Sequence, residues 1–157
     1  MLYCPCGSNE KFIQCCQPII NGSKKVITPE QLMRSRYSAY ATNQAQYIFD
    51  TYVQANQITQ SVDDITTWAK QCKWVNLTVL DTSTKGDFST VEFIACYIQN
   101  HSLYQLHELS RFIKENGNWR YQDGDIKKHQ LMRKIKRNET CPCLSQKKFK
   151  QCCGLSP

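Results

Sequence analysis

One cysteine pattern occurs near each end of this chain. A Cys-Pro-Cys triplet, eight further residues and a Cys-Cys pair begin at position 4 and again at position 141. Nine of the thirteen positions from 4 to 16 are identical to those from 141 to 153. The two blocks contain eight of the ten cysteines: Cys4, Cys6, Cys15, Cys16, Cys141, Cys143, Cys152 and Cys153. Whatever the rest of the chain does, both ends must close around these thiols.

Four thiolates within thirteen residues suit one tetrahedral cation at about 2.3 Å per sulfur, as in structural zinc sites. The proline of Cys-Pro-Cys fixes one φ angle, and the backbone must bend at the Cys-Cys pair for both thiols to reach one ion. A disulfide framework and iron–sulfur ligation are the alternatives. The opening residues Met1–Cys4 contain no charged-then-apolar signal segment, so we expect a reducing, cytoplasmic location. Iron–sulfur ligands are usually more widely spaced. We therefore predict two zinc ions, one for each block.

The two blocks also resemble a known motif. Cys-Pro-Cys-Gly-Ser, then a lysine, a phenylalanine and Cys-Cys, is similar to the SEC-C motif, which is named for the zinc-binding tail of the SecA preprotein translocase. The resemblance implies that all eight cysteines ligate zinc. Leu144 stands where the first block has Gly7, and Asn9 and Gln146 replace a glycine common in such motifs. Since losing glycine restricts positive φ angles, we expect a strained or different turn in the second block. If only one ion binds, we expect that block to be the deficient one.

The chain of 157 residues suits one main domain with small appendages. No apolar run approaches the roughly 18 residues of a membrane span. We divide the chain into a zinc module at 1–17, an α+β domain at 28–126, a basic helical linker at 127–137 and a zinc module at 138–157. The modules are too short to bury a core, so we expect them to need metal to fold. The segment 28–126 is expected to stay folded without metal.

Helical signals come first along that domain. Thr28-Pro29-Glu30-Gln31 offers an N-cap, a proline at the first helical position and a capping box. A second helix is predicted over 45–55, and a third is predicted to begin at Ser61. Cys72 then falls on the apolar face of the third helix, which predicts a core position.

The hydrophobic period changes from 3.6 to 2 after Lys73, which indicates strands. Connections are predicted at 81–87, where Gly86 lies, at 100–102 and at Asn116-Gly117. The last strand is predicted to end near 123–125. Cys96, within a predicted strand, is again expected in the core.

Three helices followed by about four antiparallel strands indicate an α+β fold, with cone-like helices packed on a curved antiparallel sheet. The cone resembles the nuclear-transport-factor-2-like fold. The segment 28–40, His107-Glu108-x-Ser110-Arg111-Phe112 and Trp119-x-Tyr121 are similar to the YchJ family, which joins such a middle domain to SEC-C motifs. The resemblance spans nearly the whole chain. It implies a fold and a zinc count, and it implies no activity.

Positive charge is concentrated in one segment. Between positions 127 and 153, nine Lys and Arg oppose a single acid, Glu139, a net +8 in a chain whose total is +7. The cations are Lys127, Lys128, Arg133, Lys134, Lys136, Arg137, Lys147, Lys148 and Lys150. The plain interpretation is a solvated helix, because 126–137 carries apolar residues at helical spacing. The functional interpretation is a basic arm that presents the second zinc module to an acidic protein surface or to RNA. No base-reading motif is present.

A middle-domain pocket is the competing hypothesis. Glu108 is predicted to face the domain interior, where a carboxylate needs a partner, and Arg34 or Arg36 can supply one beside Tyr37. The result is either an ion pair between helix and sheet or a site for a small-molecule ligand or for catalysis. No phosphate loop or nucleophile motif is present, and four thiolates leave a metal no open position. We therefore predict a non-catalytic zinc-binding adaptor whose basic C-terminal module docks on an acidic partner, with a small-molecule-binding or enzymatic middle domain as the alternative.

Overall fold

The computed structural model describes residues 3–143 and 145–155. Within these residues, five helices precede a four-stranded antiparallel sheet. The helices are α1 (Gln17–Ile20), α2 (Pro29–Ala41), α3 (Ala45–Asp50), α4 (Gln54–Gln57) and α5 (Val62–Gln71). The strands are β1 (Lys73–Lys85), β2 (Phe88–Gln99), β3 (Ser102–Glu115) and β4 (Asn118–Lys134). This is the predicted α+β arrangement, with a cysteine cluster at each end of the chain.

Helix α2 begins where the sequence predicted. The Thr28 side chain accepts a hydrogen bond from the Gln31 N–H at 3.2 Å, and the Gln31 side chain accepts one from the Thr28 N–H at 3.3 Å. A side-chain cap of this kind contributes about 1 kcal/mol. The helix buries Leu32, Met33 and Tyr37 against the sheet and the N-terminal cysteines. It is thus the element that joins the domain core to the first cysteine block.

The single helix predicted over 45–55 is wrong. Helix α3 ends at Asp50, and the following residues exchange backbone hydrogen bonds with β4: Tyr121 N–H with the Thr51 carbonyl at 2.8 Å, and Val53 N–H with the Tyr121 carbonyl at 2.9 Å. The strand offers these partners at the point where the helix stops, and the short α4 begins one residue after Val53.

Helix α5 begins at its predicted cap, because the Ser61 side chain accepts a hydrogen bond from the Asp64 N–H at 3.3 Å. Ala69 and Cys72 are buried, so the core position predicted for Cys72 is confirmed. Cys96 is only half-buried on β2. None of the helices in the described residues is long and apolar enough to cross a membrane.

The sheet runs β1-β2-β3-β4, so β1 and β4 are its two edges. β1 extends to Lys85, and the connection predicted over 81–87 shrinks to a tight turn with Gly86 at φ +59°. The Asn116-Gly117 turn joins β3 to β4, as predicted.

The helix predicted over 126–137, and with it a helical linker at 127–137, is wrong. β4 continues to Lys134 and pairs with β3 along its whole length, from Asn118 opposite Glu115 to Lys134 opposite Ser102. Of the apolar residues that suggested a helical face, Leu131 is 51% exposed and Met132 48%, whereas Ile135, which follows the strand, is buried. β3 would otherwise lack partners for the backbone groups on one edge over several residues, and β4 satisfies them.

The two cysteine blocks pack on opposite faces of the sheet. Side chains alternate along a strand, so Ala95 and Ile98 of β2 face opposite sides. The cluster of Ala95 includes Leu77, Leu32 and three of the first four cysteines, and the cluster of Ile98 includes Ile135, Phe149, Cys141 and Cys153. The N-terminal block therefore belongs to the main core, between α2 and the sheet. The C-terminal block covers one end of the other face.

Candidate metal centres

The four N-terminal cysteines bring their sulfur atoms to one point. The sulfurs of Cys4, Cys6, Cys15 and Cys16 all lie within 4.8 Å of one another. The separation from Cys6 to Cys15 is 3.7 Å, and from Cys15 to Cys16 it is 3.9 Å. A tetrahedral ion with metal–sulfur bonds of about 2.3 Å requires sulfur separations of about 3.8 Å. The cluster therefore has the dimensions of a single four-coordinate metal ion.

Backbone turns bring these cysteines together. The Cys4 N–H donates to the Glu10 carbonyl at 2.7 Å and closes the first loop. Asn9 adopts φ +62° within that loop. A 3₁₀ turn over Phe12–Gln14 ends at Cys15, whose φ and ψ of −103° and −94° bend the chain. This bend lets two neighbouring cysteines reach one centre, as the sequence required.

The C-terminal block repeats this geometry. All four sulfur atoms of Cys141, Cys143, Cys152 and Cys153 again lie within 4.8 Å of one another. The Cys141 N–H donates to the Lys147 carbonyl at 2.8 Å, in the place of the Cys4 contact with Glu10. A 3₁₀ turn again leads into the Cys-Cys pair, at Phe149–Gln151. The second block is thus a second candidate metal centre.

The turn of the second block was expected to differ from the first at Leu144 and Gln146. At Gln146 the backbone conformation is the same in both blocks. Gln146 has φ +61°, close to the +62° of its counterpart Asn9. The left-handed conformation costs a non-glycine residue about 1–2 kcal/mol, so both loops hold a strained residue where glycine is common. The strain predicted from Leu144 falls on a residue outside those described.

Burial and mutual hydrogen bonding shift the pKa values of the clustered thiols. Hydrogen bonding to Cys4 and burial raise the pKa of the Cys16 thiol, whereas the hydrogen bonds that Cys4 accepts from Cys16 and Cys6 lower the pKa of Cys4. In the second cluster, burial raises the pKa of Cys153. Burial also opposes ionisation of Cys143, but hydrogen bonds, first from Ser145, bring its pKa down to about 6. A divalent cation supplies the charge that stabilises all four thiolates of a cluster.

Arg34 contacts the first metal centre rather than Glu108. Its Nη1 donates to the Cys6 carbonyl at 2.7 Å, and its Nε pairs with Glu30 at 2.8 Å. The residues in contact are 28 positions apart in sequence, and no local pattern predicts the contact. Arg34 thus ties α2 to the loop that carries two metal-ligand candidates.

The ion pair proposed for Glu108 is not formed among the described residues. Glu108 Oε1 instead accepts hydrogen bonds from Ser110 Oγ at 2.7 Å and from the Tyr121 hydroxyl at 3.0 Å. Arg36 donates to the Ile48 carbonyl and the Thr51 hydroxyl, both at 2.7 Å. Two neutral hydroxyl groups therefore donate hydrogen bonds to the Glu108 carboxylate. The Arg36 guanidinium donates its hydrogen bonds to a backbone carbonyl and a threonine hydroxyl instead.

Aromatic side chains pack directly against Arg36 and Tyr37. The Arg36 guanidinium lies 4.5 Å from the ring centres of both Tyr52 and Tyr121. Tyr37 is buried with its ring edge-on to Trp74 at 5.4 Å, and burial raises its pKa. Tyr52 lines a cavity of ≈ 260 Å³ and Trp74 one of ≈ 1230 Å³, but Arg34, Arg36, Tyr37 and Glu108 line neither.

The predicted basic surface is divided between a strand and the second module. Lys127, Lys128, Arg133 and Lys134 are exposed along β4, and Arg133 pairs with Glu139. The remaining cations belong to the segment that contains the C-terminal cysteines: Lys136, Arg137, Lys147, Lys148 and Lys150. A backbone hydrogen bond from Lys150 N–H to the Arg137 carbonyl, 3.0 Å long, brings the two ends of this group together.

Two family models match the chain. The YchJ middle NTF2-like domain matches residues 28–124, and the SEC-C motif matches residues 137–155. The UPF0225 protein GSU1048 of Geobacter sulfurreducens is 38% identical over 156 residues, which cover 96% of this chain and 97% of that protein.

Two solved structures are similar over most of the chain. The solution structure of RPA3114, a SEC-C motif containing protein from Rhodopseudomonas palustris, has a TM-score of 0.74 at 35% identity and covers 78% of this chain and 97% of that one. The crystal structure of a SEC-C motif containing protein from Psychrobacter arcticus has a TM-score of 0.71 at 29% identity, with coverage of 100% and 98%.

Proposed function

The chain belongs to the YchJ family, and on that premise we propose that it is a non-catalytic adaptor that binds two zinc ions and docks on an acidic protein surface through its basic C-terminal module. Zinc is supported by the donor set, since four thiolates at tetrahedral separations favour it over harder cations. Sulfurs this close together suit one ion better than a cluster of several iron atoms. Four protein ligands fill the coordination sphere, which leaves no position for a substrate.

The observation that carries the docking proposal is the difference in charge between two modules of the same build. At three equivalent positions the first module has Glu10, Lys11 and Ile13, and the second has Lys147, Lys148 and Lys150. Lys147 and Lys148 are exposed and Lys150 is half-buried. A protein partner is favoured over RNA because Phe149, the aromatic residue of the second module, is only 2% exposed and offers no face for a base.

Metal analysis tests the first half of the proposal. Protein prepared without chelators should carry two zinc ions per chain. One zinc or none, with all cysteines reduced, would contradict it.

Binding of poly-glutamate tests the second half. We expect the triple change Lys147→Gln, Lys148→Gln, Lys150→Gln to weaken binding at low salt about tenfold, from roughly 0.5 kcal/mol per exposed cation. The control makes the same charge change at exposed residues of the other parts of the chain, Lys24→Gln, Lys25→Gln and Lys85→Gln, and should bind like the parent. If both triple variants lost the same affinity for poly-glutamate, net charge alone would explain the binding. That result would refute the docking surface.

A parallel titration with single-stranded poly(U) RNA distinguishes the other acidic partner. If four or five of the cations contact phosphates, log K should fall with log[salt] at a slope of about −3. Binding to RNA with this slope, together with weaker binding to poly-glutamate, would assign the basic module to RNA instead.

A further inference from the structure

The two cysteine modules differ in the burial of one ligand. Cys6 of the first module is fully buried, whereas Cys143, at the same position of the second module, is half-buried. The first cysteine of the Cys-Cys pair is half-buried in both modules, as Cys15 and as Cys152. The other four ligands are all buried: Cys4, Cys16, Cys141 and Cys153. The first module therefore offers one partly exposed cysteine ligand, and the second module offers two.

The two half-buried cysteines of the second module are also close neighbours. The sulfur atoms of Cys143 and Cys152 lie 3.4 Å apart, whereas those of Cys6 and Cys15 in the first module lie 3.7 Å apart. The sulfur atoms of a disulfide are about 2.05 Å apart. A movement of about 1.4 Å therefore brings Cys143 and Cys152 to bonding distance.

The surroundings restrain the first pair more than the second. Arg34 of α2 donates a hydrogen bond to the Cys6 carbonyl at 2.7 Å, and Cys6 belongs to the cluster of buried residues that forms the main core. Cys143 and Cys152 pack instead against the small cluster on the other face of the sheet. Closing a disulfide at Cys6 would therefore disturb the main core, whereas closing one between Cys143 and Cys152 would disturb the small cluster.

Metal binding accounts for the reactive form of these cysteines. A zinc ion requires deprotonated cysteine ligands, and the thiolate is the nucleophilic form of cysteine. Susceptibility to oxidation follows thiolate character and exposure, and the second module combines both at two adjacent sulfur atoms. We infer that Cys143 and Cys152 are a modification site for hydroperoxides, at which a disulfide forms and the second module releases its zinc while the first module retains its own.

Hydrogen peroxide is a sufficient oxidant for this reaction. In the first step one thiolate attacks a peroxide oxygen, the O–O bond breaks, and a sulfenic acid and a hydroxide ion form. In the second step the other thiolate attacks the sulfenic sulfur, the S–S bond forms and a second hydroxide ion leaves. The two sulfur atoms together lose two electrons, which the peroxide gains, and two protons from the solvent convert the hydroxide ions to water.

Formation of the disulfide removes two of the four ligands of the second module. Cys141 and Cys153 alone are too few to fill a tetrahedral site. The module then loses the free energy of metal binding that folds it. The inference rests on the zinc content proposed above, and it is independent of the partner that the basic surface binds.

Zinc release from the full-length protein tests the inference. Protein that carries two zinc ions per chain is exposed to hydrogen peroxide in the presence of a colorimetric zinc chelator, and a parallel sample without peroxide measures what the chelator removes alone. We expect one ion per chain to be released about fivefold faster than the other, because oxidation follows exposure. Cys143→Ser should lose the fast release and keep the slow one. Cys96→Ala removes the half-buried cysteine outside the modules and should release both ions like the parent.

Tandem mass spectrometry of protein that has lost one ion locates the new bond. We expect a disulfide between Cys143 and Cys152, with Cys6 and Cys15 still reduced. Dithiothreitol with added zinc should restore two ions per chain, because a disulfide is reversible whereas sulfinic and sulfonic acids are not.

Release of both ions at equal rates, or a disulfide in the first module when the first ion is lost, would overturn the inference. A fast release that persists in Cys143→Ser, disappears in Cys96→Ala or occurs equally without peroxide would overturn it as well. Fewer than two zinc ions before peroxide is added would contradict the zinc content proposed above, and this inference with it. The two kinds of failure are therefore distinguished, because the zinc content is measured before the oxidant is added.

Discussion

The two cysteine modules have the same local structure and different surroundings. Both close a loop with one backbone hydrogen bond and bend at the Cys-Cys pair. The first is continuous with the main core: Cys6 is fully buried, and Cys4 Sγ lies 3.5 Å from Ser38 Oγ of α2. The second shares a small cluster with Ile98 and Ile135. The comparison teaches that a repeated metal motif can be part of the main core at one end of a chain and pack in a small separate cluster at the other.

Loss of one ligand from each module should separate these roles most strongly. We expect both Cys6→Ser and Cys143→Ser to retain one zinc, but only Cys6→Ser should lower the melting temperature of the sheet, by about 10 °C or more, because a structural zinc contributes several kcal/mol to whatever folds around it. Circular dichroism and metal analysis measure the two effects. Equal melting temperatures for the variants would contradict the comparison. Three N-terminal cysteines lie in the core of residues 28–126, so the melting of metal-free protein also tests the prediction that this segment stays folded without metal.

Removing an arginine beside the first module should destabilise the protein more than removing one beside the second, with a smaller difference than for the cysteine variants. Arg34→Met leaves the Cys6 carbonyl without its donor, and we expect a cost of about 1–3 kcal/mol in the free energy of unfolding. Its counterpart Arg133→Met removes an exposed pair with Glu139, which should cost no more than about 1 kcal/mol. Urea unfolding of the zinc-loaded proteins compares them. A larger loss in the free energy of unfolding for Arg133→Met would contradict the view that the first module is the one that belongs to the main core.

Local signals predicted the elements whose determinants are close in sequence. The capping box at Thr28, the cap at Ser61, the Asn116-Gly117 turn and the clustering of each set of four cysteines depend on residues within about thirteen positions of one another.

Distant partners decided the rest. The residues 126–137 fit a helix or a strand equally well, and the choice was made by the length of β3, which needs a partner along its edge. Glu108 was correctly expected to need a partner, but the periodicity of one strand could not show that Ser110 and Tyr121 already supply it. The cavity of ≈ 1230 Å³ is lined by residues from both ends of the chain, and neither end alone predicts it.

The smallest expected effect concerns the feature that the modules share. Asn9→Gly and Gln146→Gly each relieve a positive φ angle, and we expect each to stabilise its own module by about 1 kcal/mol, less the entropy that glycine adds to the unfolded chain. Competition with a chelator measures the affinity of each zinc site. If only Asn9→Gly increased the zinc affinity of its site, the two turns would differ in energy although their φ angles are alike.

The β4 edge of the sheet carries charges that oppose self-association. Along β4, the exposed Lys127, Lys128, Arg133 and Lys134 place repelling charges beside the unpaired edge, and lysines on an edge strand oppose pairing with another sheet. The β4 edge therefore resists the addition of a strand from another molecule. Stacking of sheets into fibres requires pairing at both edges of each sheet, so the charges of β4 oppose it.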